Sequence, residues 1–341
     1  MRLRTVLAST SAALAAATCL TAAGPANAQD NHACSSKVSI DRFSDALDKT
    51  TYDGTFVGNL SALAVDQDGS LAALSDRSAL FRLDAKTLQP RSVVPLADEN
   101  GTALDSEGLV IDSDGTRLVT SETEPSVRRY SRTGHILDRL PVPASLRVAP
   151  AGRAVSNGTF EGLTLLPGGH TLLASMEYAL SGDSSGAVRF QTWERHRGSF
   201  VPAAQYAYPV DAGLGVPEVR ATPDGRLLVL ERGFTSGVGN TVRLYLADPR
   251  RATDTSGVEN LTGQAGVRPI KKTLLTDLAA CPTLGATAKQ PQPNPLLDNI
   301  EGMAVTGGDG RGRLKVVLVS DDNQNAAQTT RFYYLQVQVT H

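Results

Sequence analysis

Histidine is scarce in this chain, at five of 341 residues. His32 and His341 sit near the ends, His170 follows a Gly-Gly pair, and His135 and His196 fall in polar strand or loop contexts. A Ser-His-Asp triad has no support from that supply. Cysteine is scarcer, at three, and no Cys/His zinc spacing, phosphate-cradling glycine loop or dinucleotide fingerprint occurs. Gly182-Asp183-Ser184-Ser185-Gly186 spells G-x-S-x-G, but it is a Ser/Gly loop ahead of the strand-like AVRFQTW, not the strand-turn-helix a nucleophile elbow requires. The net charge of −2 and a pI near 6.2 leave no basic footprint for nucleic acid or an anionic membrane. No nucleic-acid partner is expected.

Long apolar runs are absent beyond the start of the chain, so no later segment reaches the 18 or so apolar residues of a membrane span. The first 28 residues read as a signal peptide. MRLR supplies the basic start, Val6 to Ala23 is apolar and small-residue rich, and Ala26-Asn27-Ala28 is a small-x-small cleavage site. Cleavage after Ala28 would export residues 29–341, expected to form a single domain and a monomer without a transmembrane anchor. Cys19 lacks the upstream Leu of a lipoprotein signal. Removing the leader leaves Cys34 and Cys281, an even pair in an oxidising compartment, and a disulfide is expected between them.

What the chain does have is a repeat. Glu-Gly followed by an apolar residue occurs at Glu107-Gly108-Leu109, Glu161-Gly162-Leu163 and Glu301-Gly302-Met303. Each opens an apolar run, a turn, a second apolar run and an acidic residue, as in DSEGLVIDSDGTRLVTSE from Asp105 and FEGLTLLPGGHTLLASME from Phe160. Degraded copies start at Asn59 and Val216. Glu107, Glu161 and Glu218 lie 54 and 57 residues apart, and Leu63 precedes Leu109 by 46. A period near 50 built from short strands predicts an all-β fold, a single β-propeller. Glu218 to Glu301 is 83 residues, room for an insertion or a further blade. Five marked units plus that gap predict six blades, with five and seven as alternatives.

Asp68-Gly69, Asp114-Gly115, Gly168-Gly169 and Asp224-Gly225 read as hairpin turns. Folding about them sets Glu161 opposite Met176 and Glu177, Glu107 opposite Ser121 and Glu122, and Glu218 beside Glu231. If the Glu-Gly strands are innermost, Glu107, Glu161, Glu218 and Glu301 converge at one mouth of the channel, backed by Asp76, Glu122, Glu177, Glu231, Asp321 and Asp322. Such a ring needs protonation, arginines or a hard cation, and oxygen-only ligation is what calcium accepts. The expected metal ligands are Glu107, Glu161, Glu218, Glu301, Glu177 and Asp321. Each Glu taken alone also reads as a strand cap, with Gly there for close packing. Arg77, Arg220 and Arg232 adjoin these acids, either to pair with them or to present guanidinium groups to an anionic substrate. Asp183 leaves the same end as Glu177. Arg77, Arg232 and Asp183 are the expected substrate contacts.

The ordered set Ser-Glu-Gly-Leu, Phe-Glu-Gly-Leu-Thr, Gln-Tyr-Ala-Tyr-Pro-Val-Asp, Leu-Leu-Val-Leu-Glu-Arg-Gly-Phe and Asn-Ile-Glu-Gly-Met with Val-Ser-Asp-Asp-Asn, spanning about Phe56 to Val339, resembles the secreted phytase-like family described by an esterase-like activity of phytase. The resemblance implies a β-propeller, export and hydrolysis of an ester or phosphoester. The Glu-Gly strands are also similar to those of six-bladed calcium-dependent lactonases and esterases, and that similarity puts Glu161, Glu107 and Glu301 first as catalytic positions. The chain has no dense Lys-rich face of the kind a strong phytate binder needs. A second class of function fits the same features: a non-catalytic propeller that binds a carbohydrate, peptide or protein partner around a structural metal.

Overall fold

The computed structural model describes residues 32–340; the expected signal peptide and the expected cleavage after Ala28 lie outside the described residues. The chain begins with β1 (Val38–Ser44) and a small hairpin, β2 (Thr50–Tyr52) and β3 (Thr55–Val57). Blade one follows as β4 (Leu60–Val65), β5 (Leu71–Ser75), β6 (Ala79–Leu83) and β7 (Pro90–Pro95). Blade two is β8 (Ser106–Ile111), β9 (Arg117–Ser121), β10 (Ser126–Tyr130) and β11 (Ile136–Leu140). Blade three is β12 (Phe160–Leu165), β13 (Thr171–Met176), β14 (Ala187–His196) and β15 (Ser199–Pro209). Blade four is β16 (Gly215–Ala221), β17 (Leu227–Thr235), β18 (Gly239–Asp248) and β19 (Lys271–Asp277). Blade five takes β20 (Ile300–Gly308), β21 (Arg313–Ser320) and β22 (Phe332–Gln338) from the end of the chain and β1 from its start.

The propeller therefore has five blades, not the six expected from the spacing. The 83-residue step holds no extra sheet. It is filled by the long strands β17 and β18, of 9 and 10 residues, by β19, and by irregular segments on either side of β19. One of these segments lies against blade three, where Ser184 N–H donates to Leu261 O and Thr255 N–H to Gln205 O. Another runs from β19 to β20 and carries Cys281, which is joined to Cys34 in the expected disulfide. Together with the β1–β22 pairing, that bond fastens both ends of the chain into one blade. Among the described residues no helix is long and apolar enough to cross a membrane.

Each blade is a meander because alternation puts its apolar residues between sheets and tight turns join its strands. The expected turns are present: Gly69, Gly115 and Gly225 all adopt φ near +80°. The innermost strands β4, β8, β12, β16 and β20 pack side by side in a ring, β20 closing on β4. That ring is tight enough to explain the glycine after each mouth glutamate. A Cβ on Gly108 would lie 2.4 Å from Glu161 O, and one on Gly162 would lie 2.5 Å from Val219 N. Apolar layers between adjacent blades complete the packing, with Phe160, Phe190 and Trp193 fully buried in one of them.

Candidate metal and active site

Every inner strand is bulged at its first residues, between Leu60 and Ala62, Ser106 and Leu109, Phe160 and Leu163, Gly215 and Glu218, and Ile300 and Gly302. A bulge re-aims a side chain, and here it holds Ser61, Glu107, Glu161 and Glu301 at the mouth. The strand beside each inner strand ends on a second polar residue, locked by one repeated bond. Asp76, Glu122, Glu177 and Asp321 donate their backbone N–H to the carbonyls of Asn59, Asp105, Thr159 and Asn299, each two residues before the mouth position. Four blades thus deliver a pair of polar side chains to one place by the same backbone geometry.

Blade four breaks the pattern. Counted back from the turn carbonyl-to-amide pairs that start at Leu166 and Thr222, Glu161 is five residues away and Glu218 only four. Pro217 occupies the mouth position, and Glu218 is turned to the other face, since a one-residue shift in a strand reverses the side chain. Glu218 is fully buried against Arg220, Nη2 to Oε2 2.7 Å, and does not line the mouth. Glu231 is likewise turned away, accepting from Tyr208 Oη and the Asp211 amide. The next residue, Arg232, takes the place of Glu177 and Glu122 and sets a guanidinium among the carboxylates, 3.0 Å from Glu301 and 3.4 Å from Glu177.

Arg220 has a different task. Its guanidinium donates to the carbonyls of Leu63, Leu109, Leu163 and Met303 at 2.6 to 2.8 Å, one from the inner strand of each other blade. It closes the channel below the mouth and separates it from the hollow on the opposite face, which Leu63, Val110, Thr164 and Ala304 line.

The mouth is a cavity of about 560 Å³. Asp76, Asp105, Glu107, Glu122, Glu161, Glu177, Glu301 and Asp321 line it, with Ser61, Asn157, Asn240 and Asn299 between them. Arg77 stands at its edge with an exposed side chain, 3.4 Å from Asp76. Tyr178 and Phe234, 41% and 55% exposed, form an aromatic rim. Asp183 is outside the cavity lining. Its carboxylate is buried against Arg189, 2.7 Å from Nε, and accepts from the Leu261 amide, so it anchors the segment after blade four. Asp322 is also turned away, paired with Lys49 and the Asn59 amide. Asp105, Tyr178 and Phe234 escaped the sequence reading; only the place of Asp105, two residues before Glu107, hinted at it.

Burial dominates the electrostatics. Desolvation first, then neighbouring carboxylates, pushes Glu107, Glu161 and Asp321 well above the usual carboxylate range. The same causes carry Glu122 to about 7. Burial also lifts Glu177 and Asp76 to about 6, with Arg232 and Asn59 respectively holding them lower. Glu301 is raised by burial and restrained by Arg232 and Asn299. Carboxylate oxygens of Asp105, Glu107 and Glu122 lie within 4.8 Å of one another, as do those of Glu122, Glu161 and Glu177. Two ionised carboxylates at that distance repel by about 3 kcal/mol at an effective dielectric near 20. These clusters fit a divalent cation: the donors are all oxygen, and Glu122 Oε1 is buried without a hydrogen-bond partner.

That arrangement sets a pH dependence. Carboxyls raised in the folded state hold protons the unfolded chain has released, so their contribution is full below about 4.5 and falls as pH rises through 6 to 7. Metal-free protein is expected to melt several degrees lower at pH 7 than at pH 5. A divalent cation needs the ionised forms and should reverse the slope. Melting curves at pH 5, 6 and 7, with chelator and with calcium, check this; parallel curves would refute it.

The family model for phytase-like proteins, described as esterase-like activity of phytase, matches residues 55–324. The chain belongs to this family. An esterase-like hydrolytic activity comes with membership of the phytase-like family, and the acidic mouth supplies the divalent-cation clusters such chemistry can use. A search of curated proteins finds no match. Among solved structures, the chain is similar to a glutaminyl cyclase from Myxococcus xanthus, at 14% identity and TM-score 0.46, over 89% of this chain and 97% of that one. It is similar to a gluconolactonase from Xanthomonas campestris, at 16% and 0.42, over 84% and 73%. It is also similar to the PQQ-bound aldose sugar dehydrogenase from Streptomyces coelicolor, at 14% and 0.42, over 90% and 99%.

Proposed function

We propose that this phytase-like protein is an exported, calcium-dependent hydrolase of small esters or phosphoesters, working at the acidic mouth. The observation that carries the reading is the convergence of carboxylates at one mouth, where five from blades two and three form two clusters at cation-ligand spacing. Export after Ala28 is supported by the leader sequence and by the disulfide. Asp105, Glu107 and Glu122, or Glu122, Glu161 and Glu177, would hold the cation, which when bound supplies Lewis acidity toward a substrate oxygen. Glu301 lies outside both clusters and is fixed by Arg232 and by Asn299 Nδ2 at 2.9 Å. It is our choice of general base, raised by burial while the guanidinium favours its ionised form. Arg232 Nε is buried with no partner and can donate to a substrate oxygen entering from the rim. Exposed Arg77 is placed to meet an anionic group, while Tyr178 and Phe234 offer faces to the rest of the substrate.

That aromatic rim also favours the second reading, a binding propeller with a structural metal. Hydrolysis of p-nitrophenyl acetate, butyrate and phosphate by protein lacking residues 1–28 separates the two. Turnover of any of these with calcium, lost with chelator, is the expected result and gives the bond class. No turnover, beside stabilisation by calcium, would leave the binding reading standing.

A further inference from the structure

The five carboxylates at cation-ligand spacing do not form one cluster. Asp105, Glu107 and Glu122 satisfy it together, and Glu122, Glu161 and Glu177 satisfy it together. Among the described residues no larger set does. Calcium binds oxygen at about 2.3 to 2.6 Å, so the ligands of one ion lie no more than about 5 Å apart. No four or five of these carboxylates meet that spacing at once, so Asp105 and Glu107 fall in one ligand set and Glu161 and Glu177 in another. Glu122, at the end of β9, belongs to both.

We propose that the mouth holds two divalent cations bridged by the Glu122 carboxylate. This rests on the metal-binding reading above and goes beyond it in number and in the role of Glu122. A second observation supports it. Glu122 is 4% exposed, and its Oε1 has no hydrogen-bond partner, leaving one carboxylate oxygen free for a ligand inside a buried site. Charge sets the number: the five carboxylates carry −5 when ionised, one divalent ion leaves −3, and two leave −1 in a site where burial penalises every uncompensated charge. The cationic group of Arg232 is already committed to Glu177 and Glu301.

The test is stoichiometry. Protein stripped with chelator and returned to metal-free buffer is titrated calorimetrically with calcium, with manganese and zinc in parallel, and bound metal per chain is measured by elemental analysis. Two ions per chain are expected for at least one metal. Asp105→Asn should keep one ion, on the cluster of Glu122, Glu161 and Glu177, and lose the other. Glu122→Gln should weaken both by 100-fold or more while Trp193 fluorescence stays as in the parent. One ion per chain in the parent protein would overturn the bridged pair and leave the proposed function intact. No bound ion of any of the three metals would overturn both. Two ions retained by Glu122→Gln at parental affinity would remove Glu122 from the bridge.

Discussion

Glu161→Gln should raise the melting temperature of the metal-free protein and remove much of the stabilisation that calcium gives. The two effects have opposite signs because the same carboxylate is a liability without a cation and a ligand with one. Glu161 is 6% exposed, and burial followed by Glu107, Glu177, Glu122 and Glu301 raises its carboxyl well above the ordinary range. Glutamine keeps the shape and removes the charge, so at pH 7 the metal-free variant is expected to melt several degrees above its parent. Replacing an anionic oxygen donor with an amide removes one of three close donors from its cluster, and calcium-dependent ester turnover should fall at least about 100-fold. Differential scanning calorimetry with chelator and with calcium, beside p-nitrophenyl ester assays, reads both. A variant that melts like its parent in both conditions would mean that Glu161 neither burdens the free protein nor holds a cation.

The fate of Glu218 shows how far the sequence alone can be taken. The Glu-Gly triplets and the hairpin turns were legible because local turn chemistry sets strand register, but the bulge after Phe160 puts Met176 opposite Phe160 and the Glu177 amide on Thr159, not opposite Glu161 as expected. Pro-Glu-Val at 217–219 passes as a worn copy of the triplet, yet register is fixed from the Thr222 turn and puts Pro217, not Glu218, at the mouth. The blade count failed for a related reason. Spacing between marked strands reads insertions as blades, and the long strands and side segments of blade four mimic a missing unit. Asp183 sits near Glu177 in sequence, but Arg189 on β14 draws its carboxylate into a buried ion pair away from the cavity. Tyr178 and Phe234 carry no local signal, since only the closing of the ring brings the ends of β13 and β17 to one rim.

Arg220→Met should cost about 4 kcal/mol or more of folding stability, the largest single-residue effect expected outside the disulfide. The side chain is deeply buried and satisfies carbonyls from four inner strands as well as Glu218. Methionine fills similar space but offers no donor, leaving four buried carbonyls and a buried carboxylate without their partner. Loss of one member of a buried ion pair alone costs about 3–5 kcal/mol. Glu218→Gln should be milder, about 1–2 kcal/mol, because the amide oxygen can still accept from Arg220 and only the bond from the Val219 amide to the other oxygen is lost. Combining Arg220→Met with Glu218→Leu should recover part of the loss, since the carboxylate is then no longer stranded, and a double-mutant cycle in urea measures that coupling. An Arg220→Met variant within about 1 kcal/mol of the parent would show that water satisfies the channel carbonyls. The consequence reaches the mouth. Leu63, Leu109, Leu163 and Met303 each lie two residues past Ser61, Glu107, Glu161 and Glu301, so the bonds that plug the channel also hold those four positions in register. Calcium affinity should therefore fall in Arg220→Met although Arg220 touches none of the carboxylates in the two clusters.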